Sequence, residues 1–117
     1  MRLLLLIVGI LASAVTLGAQ APPPAPAGNA ENGKKLFNSV GCFQCHGYEA
    51  QGGGGARLAP NPLAYAALAK YVRAPTGQMP PYTTKVLSDQ QLADIYAFLK
   101  TIPAPPPVEN IPILNGK

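Results

Sequence analysis

The stretch GCFQCHG, residues 41–47, holds both cysteines and the only histidine of a 117-residue chain. Cys42, Cys45 and His46 form Cys-x-x-Cys-His, which reads as a covalent haem attachment site: each thiol adds to one vinyl group and the adjacent imidazole reaches the iron. Other chemistries also use a Cys-x-x-Cys pair. A structural zinc takes about four ligands, and the chain offers no Cys or His beyond these three. A thioredoxin-like redox pair sits in a βαβ setting, and no strand-like alternation is visible. A Cys42–Cys45 disulfide stays open on the pair alone, but it gives no reason for His46.

Helical patterns surround the motif. In NAENGKKLFNSV, residues 29–40, Gly33, Leu36, Phe37 and Val40 recur at the spacing of one helix face, with Asn29 as N-cap. Gly33 costs such a helix about 1 kcal/mol against Ala, so its place on the apolar face points to another helix crossing closely. A second helix is expected from Asn61 and Pro62, as N-cap and first-turn proline. It carries Tyr65, Leu68, Ala69 and Val72 on one face and stops by Pro75 and Gly77. In the third, Ser88 and Gln91 form a capping box, and Leu92, Ile95, Tyr96 and Leu99 make a stripe that ends before Pro103. The expected fold class is therefore all-α, with about three main helices joined by Gly/Pro-rich loops. With no Trp and three Phe, a core this small is marginal by itself. A covalent haem would staple it.

Counting decides the sixth iron ligand. If His46 is the proximal ligand, no second histidine exists, and with Met1 in a removable leader the only methionine left is Met79. It stands in APTGQMPPY, residues 74–82, where Gly77, Pro75, Pro80 and Pro81 build an irregular loop able to present a thioether. Ordinary core filling, the other use of methionine, suits a Gly/Pro loop poorly. His/Met ligation fills the coordination sphere and raises the reduction potential, which fits electron transfer better than catalysis.

The chain ends have their own chemistry. Residues 1–21 place Arg2 before an apolar run from Leu3 to about Leu17 and then small residues, the layout of a signal peptide. An uncleaved anchor is the other reading, although the run falls short of the roughly 20 residues that span a bilayer. Residues 22–28 hold four prolines and read as an extended linker. The domain is expected over 29–102, followed by a proline-rich tail, 103–117, that either docks on something or stays disordered. Nine basic and five acidic side chains give a formal +4, scattered singly. No basic run suited to a phosphate backbone is present, so nucleic acid is not an expected partner. Lys34, Lys35, Lys70, Arg73, Lys85 and Lys100 either steer an acidic partner or serve solubility. The run Gly52–Gly55 lacks the Gly-Lys-Ser/Thr of a phosphate loop and is expected to be a mobile surface link.

Through CFQCHG, TGQMPPY and LSDQQLADIYAFLK, the chain resembles the class I monohaem cytochromes c of bacterial exported type, over about residues 29–102. The resemblance implies a helical wrap around one haem c, attached through Cys42 and Cys45 and ligated by His46 and Met79. It implies that the first and last helices cross, Gly33 and Phe37 packing on Ile95 and Phe98. The family's Gly-Pro-x-Leu segment corresponds here to Gly55-Ala56-Arg57-Leu58. Its proline carbonyl, which accepts the proximal imidazole's N–H, falls to Ala56, and its leucine, which covers the haem edge, to Leu58. The expected function is single-electron transfer in the periplasm, not enzymic turnover. Redox proteins are the expected donor and acceptor, a membrane respiratory complex or a periplasmic dehydrogenase, and the membrane itself is met only through an uncleaved leader. The alternative is a haem subunit of a membrane or periplasmic dehydrogenase or oxidase complex.

Overall fold

The structure is a computed structural model, which describes Ala21 and residues 23–116. Apart from Ala21, the leader expected over residues 1–21 lies outside the described residues. Among those described, no helix is long and apolar enough to cross a membrane. Among the described residues four α-helices and no strand are present: α1 Ala30–Ser39, α2 Cys42–His46, α3 Tyr65–Arg73 and α4 Asp89–Thr101. Three are those expected from periodicity; α2, five residues long, carries the cysteine–histidine motif itself.

α1 begins where the Asn29 side chain accepts the Asn32 N–H at 2.9 Å, and α4 begins with both halves of the Ser88–Gln91 capping box formed. The two helices cross at Gly33, as the resemblance implies. A Cβ there would run into the carbonyl oxygen of Asp94 and stand 2.9 Å from the Ile95 nitrogen. Phe37 and Phe98 meet beside the crossing, ring centroids 5.5 Å apart. Around them the core gathers Leu68, Leu87, Leu92, Ile95 and Leu99, with Ala50 and Ala59 contributed by the loop after α2.

The second helix starts later than expected. Its N-cap is Ala64, and Asn61 instead takes a left-handed φ of 64°. A residue before proline is disfavoured in the right-handed helical region, and Asn tolerates the left-handed one. The Asn61-Pro62 pair therefore makes a turn ahead of the helix. Tyr65 then packs edge-on against Tyr96, centroids 5.4 Å apart, setting α3 on α4.

Asp94 is the one buried charged residue among those described. It sits on α4 and takes hydrogen bonds from the Asn29 backbone N–H and the Asn32 amide, each at 2.8 Å, and from Gln90 at 3.1 Å. The Asn29 N–H first, then the Asn32 amide, holds its carboxyl below the ordinary range. Gln90 also donates to the Ala27 carbonyl at 2.9 Å, so the end of the proline-rich linker is tied down. Asp94→Asn is expected to lower stability at pH 7 by about 1–3 kcal/mol, the scale of a charge-assisted bond. Because the folded-state pKa is depressed, this contribution is present above the ordinary Asp value and lost as pH falls through the folded one. The stability gap between the two proteins should thus begin to shrink below about pH 4 and close at lower pH; an equal gap at pH 7 and pH 3 would contradict the assignment.

The tail beyond Ile102 makes two 3-10 turns, Val108–Asn110 and Pro112–Leu114. The Asn115 amide closes them by donating to the Val108 and Glu109 carbonyls at 3.2 and 2.7 Å. Ile113 stays 87% exposed.

Candidate haem site

α2 is bracketed by Gly41 and Gly47, with φ of 87° and 77°. Those left-handed values let the chain turn sharply on both sides of a one-turn helix. Cys42 and His46 are half-buried and Cys45 exposed, all within this turn. Burial pushes the Cys42 thiol up to about 11. A thioredoxin-like pair needs a lowered thiol pKa, so the environment of Cys42 disfavours that chemistry.

The loop after α2 holds the imidazole in place. Gly52 and Gly55 donate to the His46 and Cys45 carbonyls, both at 2.8 Å, satisfying groups the short helix leaves free. The glycine run, expected as a mobile link, thus has both its ends bonded to α2. A Cβ on Gly55 would lie 2.9 Å from His46 Cε1, 3.0 Å from Nδ1 and 3.2 Å from Cys45 Cβ, so the ring rests against bare backbone. His46 Nδ1 is 2.6 Å from the Ala56 carbonyl oxygen. As donor in that bond, Nδ1 carries the proton, and Nε2 is left as the free lone pair. Ala56 therefore does with its carbonyl what the resemblance assigns to proline. Its position is set by Ala50, fully buried at a φ of 50°. The Ala50 carbonyl accepts the N–H groups of Leu58 and Ala59 at 2.8 and 3.1 Å. Leu58 is half-buried and packs against the core.

Met79 is half-buried in the loop between α3 and α4. That loop is pinned at both ends. Tyr71 Oη meets Thr76 Oγ1 at 2.9 Å and the Thr76 carbonyl at 3.3 Å. Tyr82 N–H donates to the Val72 carbonyl at 3.0 Å, and Arg73 donates to the Tyr82 carbonyl and to Asp89, each at 2.7 Å. Tyr82 Oη donates to the Val40 carbonyl at 3.0 Å, tying the loop to the end of α1. Burial first, then negative charge on Cys42 and Cys45, raises the Tyr82 phenol. Through its bond to Val40, two residues before Cys42, Tyr82 brings the far end of the Met79 loop towards α2. Sequence reasoning missed Tyr82 and read Arg73 only as a steering or solubilising cation; the signal for their anchoring role was their position flanking the methionine loop.

These residues suit a haem. Val40, Cys42, Phe43, Leu58, Val72 and Tyr82 are each only partly buried while packed on the core, so a flat apolar group laid on them would complete their burial. The donor set of two thiols, an imidazole with its proton fixed on the far nitrogen and a thioether suits iron in haem c. Among the described residues no cluster of three or more His, Cys, Asp or Glu could hold a bare metal ion.

Residues 28–99 match the family model described as cytochrome C oxidase, cbb3-type, subunit III. No curated protein and no solved structure matches the chain.

Proposed function

We propose a reading that proceeds from one premise: the chain belongs to the cbb3-type cytochrome c oxidase subunit III family, and so to proteins in which haem c transfers electrons. In this reading it is an exported single-electron carrier working in the periplasm, its haem c held through Cys42 and Cys45 and ligated by His46 and Met79. The 2.6 Å bond between His46 Nδ1 and the Ala56 carbonyl carries it. That bond fixes the tautomer, leaves Nε2 for iron and makes the imidazole a stronger donor. When bound, the haem supplies an iron that alternates between ferric and ferrous states. The protein's own part is to orient the imidazole through Gly55 and Ala56, to exclude water with Leu58, Val40 and Val72, and to present the thioether of Met79. Were His46 and Met79 both to hold the iron, no coordination position would be left open for substrate chemistry, which favours electron transfer over catalysis.

The test is expression of the full chain with c-type haem maturation, followed by haem staining of a denaturing gel and ferric and ferrous spectra. Stain retained under denaturation together with a low-spin, methionine-ligated ferric spectrum is expected. A colourless protein would return Cys42 and Cys45 to a disulfide and end this reading. Gly55→Ala gives a finer check. Its Cβ would crowd the imidazole and Cys45, so we expect a loss of about 1–3 kcal/mol in stability and a shift in the haem spectrum, with Met79 untouched. An unaltered spectrum would show that the ring is not held by this contact.

The family description names an oxidase subunit, which favours a second reading: a haem subunit bound to a larger oxidase or dehydrogenase. The closed tail, with Val108, Ile113 and Leu114 exposed, would be its docking element. Isolation from native membranes separates the two, since a subunit co-purifies with its complex at a fixed ratio and a carrier does not. Charge adds little to either. Lys35 pairs with Glu31 at 2.8 Å and Arg73 with Asp89 at 2.7 Å, leaving Lys34, Arg57, Lys70, Lys85 and Lys100 as the cations without a salt bridge among the described residues.

A further inference from the structure

We propose that Tyr71, Val72 and Arg73, the last three residues of α3, act with Tyr82 as a clasp that sets how often Met79 is away from the iron. The clasp thereby controls access of small exogenous ligands to the sixth coordination site. The inference rests on Met79 being the axial ligand.

Three consecutive α3 residues each hold the methionine loop by a different group. Tyr71 holds its early half through Thr76, at 2.9 Å to Oγ1. Val72 offers its carbonyl to Tyr82 N–H at 3.0 Å. Arg73, whose side chain is 22% exposed, spans the Tyr82 carbonyl and Asp89 with separate nitrogens. Only Pro80 and Pro81 separate Met79 from Tyr82. Their fixed φ values make that connection stiff, so a displacement of Tyr82 is passed to the thioether. On the other side, Gly77 has a φ of 73° and open space around it, so the loop tip itself offers no restraint. Restraint is concentrated at the anchors, and Arg73 supplies the charged one. A lysine cannot reproduce a planar fork that serves two acceptors.

If an exogenous ligand binds only when Met79 is displaced, its apparent affinity scales with the displaced fraction. Loosening the clasp should then tighten binding with no new contact to the ligand. The measurement is imidazole titration of the ferric, full-length holoprotein, alongside its reduction potential and helical circular dichroism. Arg73→Gln is expected to bind imidazole about tenfold or more tightly, the scale of one hydrogen bond to a charged group, while retaining its helix signal. Arg73→Lys should fall between. Tyr82→Phe, which removes only the bond to Val40, should move in the same direction and stands in if Arg73→Gln fails to load haem. A lowered unfolding midpoint with parent-like imidazole affinity in Arg73→Gln and Tyr82→Phe would overturn the clasp, leaving these residues a structural role only. A parent protein without methionine ligation would overturn the Met79 assignment and the clasp with it, whereas a methionine-ligated parent with unmoved variants defeats the clasp alone.

Discussion

Gly33→Ala is expected to cost about 3 kcal/mol, a large share of the roughly 5–15 kcal/mol that holds a domain together. Alanine is the better helix former by about 1 kcal/mol, so an isolated α1 would gain from the change. In the domain the added carbon would run into the Asp94 carbonyl and approach the Ile95 nitrogen to 2.9 Å. Both neighbours are helix backbone, which cannot swing aside as a side chain would. α1 must back away from α4, loosening the Phe37–Phe98 contact and stretching the Asn29 and Asn32 bonds to Asp94. The check is the denaturant midpoint of the holoprotein. A midpoint equal to or above the parent's would mean that helix propensity outweighs the crossing.

Met79→Ala is expected to keep covalent haem and lose low-spin methionine ligation. The potential should fall by on the order of 100 mV or more, within the roughly 0.8 V that axial ligands span. In the proposed site the covalent link would run through Cys42 and Cys45 and the proximal bond through His46, all on α2, so the substitution would disturb neither. Alanine offers no electron pair, and no second histidine exists to replace the thioether. Staining on a denaturing gel, the ferric spectrum and a redox titration together check this. An unchanged spectrum would refute Met79 as ligand.

The caps and the motif were legible because they depend on a few adjacent residues. Asn29 and Ser88 bond to groups three positions away, and Cys42, Cys45 and His46 fit in one turn. Gly33 was legible as a conflict, a poor helix former on an apolar face. Asn61-Pro62 misled because the same dipeptide suits a helix start and a left-handed turn, and only the surrounding fold decides between them. Asp94 was illegible: within α4 it reads as a solvated polar position, and its partners Asn29 and Asn32 lie more than sixty residues away. Ala50 gave no signal, since its value lies in a positive φ and in being small enough to bury. Ala56 shows the reverse case, where a departure from the family's proline leaves the imidazole's hydrogen bond intact because the backbone supplies the acceptor.

The pairing of the first helix with the last bears on the order of assembly. The bond from Asn29 to Asp94 closes a span of 65 residues. By logarithmic loop scaling, such closure costs roughly 4 kcal/mol of chain entropy before any contact repays it. Long-range topology of this kind folds slowly, and α4, its later partner, follows α1, α2 and α3 in the chain. Until α1 and α4 meet, α2 lies on an open chain with both thiols accessible. If the proposed haem is attached to that open chain, loading precedes the closure of the α1–α4 seam.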